Sequence, residues 1–257
     1  MSNVEAVILA GGPGFSADCC RAMTPVAGKT MLQWEVDAIR QSGAISRICA
    51  VGDCAADGID EILPPTDSFL GNLLAGVSRA RENGSQFALV ATSDIPLVTP
   101  EGIADFVARA SATGADFCYP VIPKSECVRK YPEMRRTYLK LKEGVFTGGN
   151  MVFVSVGFIT ANSEIIGRAY DARKRVFQLA GMIGWLTLLR VLIAQTVLPS
   201  AVNLETLEKT VSRLLNGSVR AVITSYAEIG EDVDKLEDLA IVEKLMAPDR
   251  SGREVSP

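Results

Sequence analysis

A chain of 257 residues with 48% hydrophobic and 22% charged residues can bury the core of one large α/β domain, which excludes a disordered or fibrous protein. A net charge of −4 argues against a general nucleic-acid binder, so an anionic small ligand would be held by local cations and backbone N–H groups. There is no histidine, which removes imidazole bases, Ser-His-Asp and Cys-His catalysis and His-ligated zinc, and leaves carboxylate, lysine, arginine and metal–oxygen chemistry.

Residues 4–10 form an apolar run rich in Val, Ile and Leu that ends in Gly11-Gly12, the pattern of a buried parallel strand feeding a loop. Apolar positions at helical spacing predict a helix over 31–39, stopped by Gly43. A strand is expected over 47–51, a helix over 69–80 and a third strand over 87–91, followed by a polar loop over 92–99. Pro100 opens the next helix, 101–112, where a missing N–H costs nothing, and a fourth strand spans 116–121. Such alternation implies a mostly parallel central sheet with helices on both faces, and ligands on such sheets gather at the carboxyl ends of the strands. The loops 10–14 and 92–99 both leave strands at that edge.

From Pro123 the rhythm changes. Residues 138–142 alternate, Glu143-Gly144 turns, and 151–154 returns as a strand. Helical material fills 162–216 as an insertion near the C-terminal third, before a final strand over 219–224 and a final helix over 235–246. The expected organisation is a single domain over 1–246, with 123–218 as a region apart that includes the helical insertion, and 247–257 as a disordered tail.

Six cysteines show no CxxC pair, and no secretion signal precedes the first strand, so reduced thiols and a cytoplasmic location are expected. Residues 179–198 carry one charge, Arg190, and are long enough to span a bilayer. An arginine at the centre of a bilayer costs at least about 2.5 kcal/mol, so a helix packed on the sheet or over the acceptor pocket is the expectation.

Three short motifs carry the chemistry. Leu9-Ala10-Gly11-Gly12-Pro13-Gly14 follows a buried strand, where glycines let the backbone approach phosphates. It matches neither the dehydrogenase GxGxxG nor the GK[ST] spacing of a P-loop; a long loop instead separates it from Gly28-Lys29. Asp94, in Ser93-Asp94-Ile95-Pro96, stands at a strand end, where a carboxylate either binds a hard dication or caps a turn. Gly230-Glu231-Asp232-Val233-Asp234 precedes an acidic helix start that the helix dipole favours by itself.

Taken together, LAGG-x-G, a cation some residues later and Pro25-Val26-x-Gly28-Lys29-x-Met31-Leu32 resemble the MobA-like NTP transferase superfamily with its GT-A-like fold. Its members include molybdenum-cofactor guanylyltransferase, the cytidylyltransferase of isoprenoid synthesis and the sugar-1-phosphate nucleotidyltransferases. The resemblance implies a Mg²⁺-dependent enzyme that moves a nucleoside monophosphate from an NTP to a small phosphorylated acceptor. It also implies catalytic roles for Arg21 and Asp94, and a nucleotide site built from Leu9, Ala10, Gly11, Gly12, Gly14, Arg21, Gly71, Asn72 and Asp94. Asp94 and Asp234 match the family's metal ligands, with Asp232 two residues before the second. Ser16 departs from the pattern where relatives carry an Arg, and Arg21 replaces a Lys, which puts catalytic efficiency in question.

Alternation over 136–142 would place Arg136, Tyr138, Lys140 and Lys142 on one face, suited to an anionic acceptor or to a solvated edge strand. Asn150 lies in a Thr-Gly-Gly-Asn turn that resembles the acceptor-contacting stretch of sugar nucleotidyltransferases. With Lys140, Arg173 and Lys174 it makes up the expected acceptor site, so that 123–218 is the expected acceptor side. A glycosyltransferase, a catalytically weak nucleotide sensor and a membrane-associated transferase remain as alternatives, and a homodimer is left open.

Overall fold

In the computed structural model, which describes residues 3–15, 19–172 and 202–247, the first apolar run lies inside the sheet. Strand β1 (Val4–Leu9) is flanked in parallel by β4 (Arg47–Val51) and β6 (Phe87–Thr92). Its even residues Ala6 and Ile8 join one core cluster and Val7 joins another on the opposite face. A strand covered on both faces offers no polar side, so it reads as a run and not as an alternation.

The sheet has nine strands among the described residues. β5 (Glu61–Leu63) closes one edge in parallel with β4. Beyond β6 the direction reverses: β10 (Met151–Ser155) lies antiparallel between β6 and β7 (Phe117–Pro123). β11 (Val219–Ile223) pairs with β7 in parallel, while β9 (Gly144–Gly148) pairs antiparallel with its C-terminal half and carries β8 (Leu139–Leu141) outside it. Three steps along β7 from Cys118 to Val121 are matched by five from Phe153 back to Gly148, so β9 and β10 are one strand interrupted by a bulge at Gly149 and Asn150. The expected mostly parallel sheet is present, with this reversed strand inserted.

Helices cover both faces. α1 (Met31–Gln41), capped by the Thr30 hydroxyl, and α3 (Pro100–Thr113), capped by Thr99 with Pro100 at its start, pack on one face. α2 (Phe69–Glu82) and α5 (Val156–Ala161) pack on the other, followed by α6 (Ser163–Ala172) against α2. α4 (Lys124–Lys130) leaves β7, α7 (Leu204–Leu214) lies along β11, and α8 (Leu236–Met246) ends the described chain next to a hairpin of β2 (Pro25–Val26) and β3 (Lys29–Thr30). The helical insertion is described at its two ends, α6 and α7. The apolar stretch 179–198 and nearly all of the tail lie outside the described residues. No helix among the described residues is long and apolar enough to cross a membrane.

Candidate active site

Three chain segments converge at the carboxyl ends of parallel strands. After β1 the glycine loop doubles back: Pro13 bridges to Cys20, and the Arg21 N–H donates to the Gly12 carbonyl at 3.1 Å. This sets Arg21 at the start of a 3-10 turn, Arg21–Met23, with its guanidinium 5.6 Å from the Phe15 ring centre. After β6 comes Asp94, whose loop closes by a Val98 N–H to Ile95 carbonyl bond and then enters α3. After β11 a second 3-10 turn, Ala227–Gly230, delivers residues 231–234, and the Val233 N–H donates to the Asp94 carbonyl at 2.9 Å. The second and third segments are therefore tied through the backbone.

The side chains meet at one cluster. Arg21 Nη1 donates to Asp94 Oδ2 at 3.3 Å and to Asp234 Oδ1 at 2.6 Å. Single oxygens of Asp94, Asp232 and Asp234 lie within 4.8 Å of one another. Asp232 is held by an ion pair with Arg136 and by Asn150 Nδ2 at 3.2 Å. The bulge is what turns Asn150 toward Asp232: its N–H is taken by the Ile229 carbonyl at 2.9 Å, across from the regular ladder. Asp238 instead caps α8, accepting from the N–H groups of Asp234 and Lys235 at 3.2 and 3.0 Å. The acidic run is thus divided between helix capping and the cluster.

Burial sets the electrostatics. It pushes the Asp94 carboxyl above its ordinary range; the nearby Thr92 hydroxyl and Arg21 work against that rise, and Asp232 and Asp234 add to it. Burial likewise lifts Glu231 to about 7, against the pull of Arg136. Glu35 on α1 is fully buried, and neither of its oxygens has a hydrogen-bond partner among the described residues. Burial drives it well up, and the Asp94 charge adds to the effect. Asp94 Oδ1 is also buried without a partner among the described residues. Three crowded carboxylates, one with an unused buried oxygen, are a hard oxygen set of the kind that suits Mg²⁺.

The other sequence-predicted residues are placed as follows. Leu9 ends β1, and the Ala10 N–H continues the ladder to the Val51 carbonyl at 2.9 Å. A Cβ on Gly11 would lie 2.8 Å from Asn72 Nδ2, whereas one on Gly12 would meet nothing within 4 Å. Gly12 therefore faces open space and Gly11 seats the loop on α2. Asn72 is not the α2 cap, which is Ser68; its Oδ1 accepts from the Thr66 N–H and hydroxyl at 2.6 and 2.8 Å, leaving Nδ2 toward Gly11. Gly71 packs against the same Thr66 hydroxyl. Gly14 abuts the Cys19 carbonyl.

The cationic face expected over 136–142 does not form as a strand. β8 begins only at Leu139, because Arg136 turns away to Asp232 and the Tyr138 ring lies 5.3 Å from Lys124 Nζ. Lys140 is exposed on β8 and does not line the polar cleft beside the carboxylates. That cleft has a volume of about 1120 Å³ and is lined by Arg135, Arg136, Asn150, Asp232 and Asp234, among others. Ser16, Arg173 and Lys174 lie outside the described residues.

Residues 6–197 match the MobA-like NTP transferase domain. The chain belongs to that family. The match takes in the loops of Arg21 and Asp94 and stops short of Asp232 and Asp234. Family membership makes the chain an enzyme of the nucleotidyltransferase kind. A hypothetical transferase from Thermus thermophilus superposes with a TM-score of 0.78 at 32% identity, over 93% of this chain and 100% of the other. The bifunctional protein GlmU of Geobacter metallireducens is 31% identical over 127 residues, 45% of this chain and 26% of its own. The chain thus spans about a quarter of the length of that curated relative. The 2-C-methyl-D-erythritol 4-phosphate cytidylyltransferase of Thermus thermophilus shares the fold, with a TM-score of 0.55 at 14% identity over 93% of this chain and 96% of its own.

Proposed function

We propose that this NTP transferase moves a nucleoside monophosphate from an NTP to a small phosphorylated acceptor and releases pyrophosphate. The observation that carries the reading is the convergence of Asp94 and Asp234 on Arg21 within bonding distance, beyond a glycine loop whose Gly12 faces open space. Asp94, Asp232 and Asp234 would hold Mg²⁺, which supplies charge neutralisation of the phosphates and polarisation of the reacting phosphoryl group.

The chain's own residues do the rest. The turn at Gly11, Gly12 and Gly14 presents backbone N–H groups to the triphosphate. Arg21 swings from the carboxylates to the phosphates and neutralises charge as it builds on the leaving pyrophosphate. Arg136 and Asn150 position the acceptor phosphate beside Asp232. An oxygen of that phosphate attacks the α-phosphorus, a new P–O bond forms, and the α–β bridging P–O bond breaks. Phosphates are already ionised near neutrality, so no protein base is required, in keeping with a chain that has no histidine. An NTP donor and six free cysteines fit the cytoplasm.

The test is a screen of the four NTPs with Mg²⁺ against sugar, polyol and alkyl phosphates, reading pyrophosphate release. Asp94→Asn should then lose more than tenfold in kcat with an unchanged circular dichroism spectrum. An Asp94→Asn protein that keeps over about a tenth of kcat, less than 1.4 kcal/mol of barrier, removes Asp94 from the reaction.

A further inference from the structure

A second cavity, of about 590 Å³, adjoins the polar cleft on the sheet face that α7 overhangs. Its floor is apolar, with Val121 on β7, Phe146 on β9 and Leu141 on β8; Leu207 and Val211 of α7 form its wall. The volume lies in the range of small-molecule sites. Among the described residues, the only charged ones lining it are Glu208 and Arg220, which pair with each other at 3.8 Å.

Helix α7 covers this space only in part. Leu204, Leu207, Val211 and Leu214 fall on one apolar face, yet no residue of α7 is fully buried. Leu204 and Leu207 pack against Val121, Leu141 and Phe146, and Val211 against the neighbouring core cluster, while the same three side chains also line the cavity, so this face is only partly satisfied by core contacts.

The cavity is also continuous with the cleft. Tyr119, Thr137, Thr147 and Gly148 line both. A Cβ on Gly148 would lie 2.0 Å from the Tyr119 hydroxyl, so the glycine is what lets that phenol rest across β9 at the junction. One end of the combined space therefore carries Arg136 and Asn150 and the other is hydrocarbon.

We infer that the acceptor is an amphiphile, whose phosphate enters the polar cleft at Arg136 and Asn150 while an apolar portion fills the groove between β7, β9 and α7. This rests on the nucleotidyltransferase reading of the cleft. Tyr119, at the junction, sets which acceptors pass from head to tail.

The test is calorimetric titration of the full chain with inorganic phosphate and with butyl, hexyl and octyl phosphate below their micellar concentrations. Kd should fall about fourfold for each buried methylene. Leu207→Asp and Val211→Trp, which fills the groove, should each abolish that dependence with an unchanged circular dichroism spectrum and an unchanged affinity for inorganic phosphate; Val211→Trp carries the test if Leu207→Asp does not fold. Equal affinities for butyl and octyl phosphate, or a chain-length dependence that survives Leu207→Asp, would overturn the inference. So would octyl glucoside binding as tightly as octyl phosphate, since head and tail sites would then be uncoupled. Pyrophosphate release is read separately. Turnover of short phosphates without any chain-length preference defeats the groove alone. Chain-length-dependent binding without turnover supports the groove and defeats the transferase reading.

Discussion

Arg21 bonds both Asp94 and Asp234, and so occupies oxygens that a metal would need. In the proposed reaction the same side chain is the cation that meets the triphosphate, so the two ligands would compete for it. Arg21→Ala should therefore cost about 3–4 kcal/mol in kcat/KM, the scale of one preorganised charge-stabilising donor. It should also tighten Mg²⁺ binding to the NTP-free protein, measured by titration. Arg21→Lys should recover part of the kinetic loss, a point charge replacing a fork. Wild-type turnover in Arg21→Ala would make it a surface charge.

Glu35 behaves differently. Burial favours its protonated form in the fold, while the unfolded chain releases the proton near the ordinary 4.5. Stability from this residue is complete below that pH and falls as pH rises toward the raised folded value, by about 1.4 kcal/mol per pH unit for one proton. Asp94 and Glu231, also raised by burial, add a slope of the same sign, so urea unfolding between pH 5 and 8 should give a steeper fall in wild type than in Glu35→Gln; parallel slopes would mean Glu35 ionises freely in the fold. Sequence carried a signal for Glu35, since it falls at helical spacing between Leu32 and Ile39 on the apolar side of α1. Arg21, Asp94 and Asp234 were easier to single out, because each stood in a motif, Asp94 at a strand end, Arg21 beyond the glycine loop and Asp234 before a helix. The pairing of Arg136 with Asp232 carried no local signal, since the two are 96 positions apart and meet only through the fold.

At the scale of elements, the longer strands and helices from β1 to α3 were legible. Two-sided burial makes the strands apolar runs, and caps such as Thr30 and Thr99 mark the helix starts. Most edge elements were not. β5 has three residues and β2 and β3 two, too short for any period to show, whereas β8 lies inside the alternating stretch 138–142. Nor could the direction of β10 be read, because antiparallel insertion leaves a buried strand as apolar as a parallel one. The close approach of α2 to the sheet has a single point of failure. A Cβ on Gly76 would lie 2.2 Å from Val7 Cγ1 and 3.2 Å from Val51 Cγ2. Gly76→Ala should improve helix propensity yet destabilise by about 1–3 kcal/mol through overpacking, visible as a lower urea midpoint with unchanged m. A stabilised variant would mean that α2 can slide outward at no cost.

The whole molecule is implicated in the site, since its residues come from positions 21, 94, 150, 232 and 234 on four different strand ends. No contiguous part of the chain holds it, and the Val233 to Asp94 backbone bond closes the circuit between early and late segments. A ligand that bridges Arg21 and the carboxylates should therefore be linked to global unfolding and not to one loop. NTP and Mg²⁺ together at about 100 times Kd should add about 2.7 kcal/mol of stability. At about 2–4 °C per kcal/mol for a chain of this size, that is a rise in Tm of about 5–11 °C. NTP with EDTA should give a smaller rise, and Asp94→Asn should respond as wild type does in EDTA. If the increment from Mg²⁺ is the same in wild type and in Asp94→Asn, the metal rides on the nucleotide alone and the carboxylate cluster is not its site. If only the NTP base series matters and Mg²⁺ never does, Arg21 is the sole counter-ion and the carboxylates serve to hold it in place.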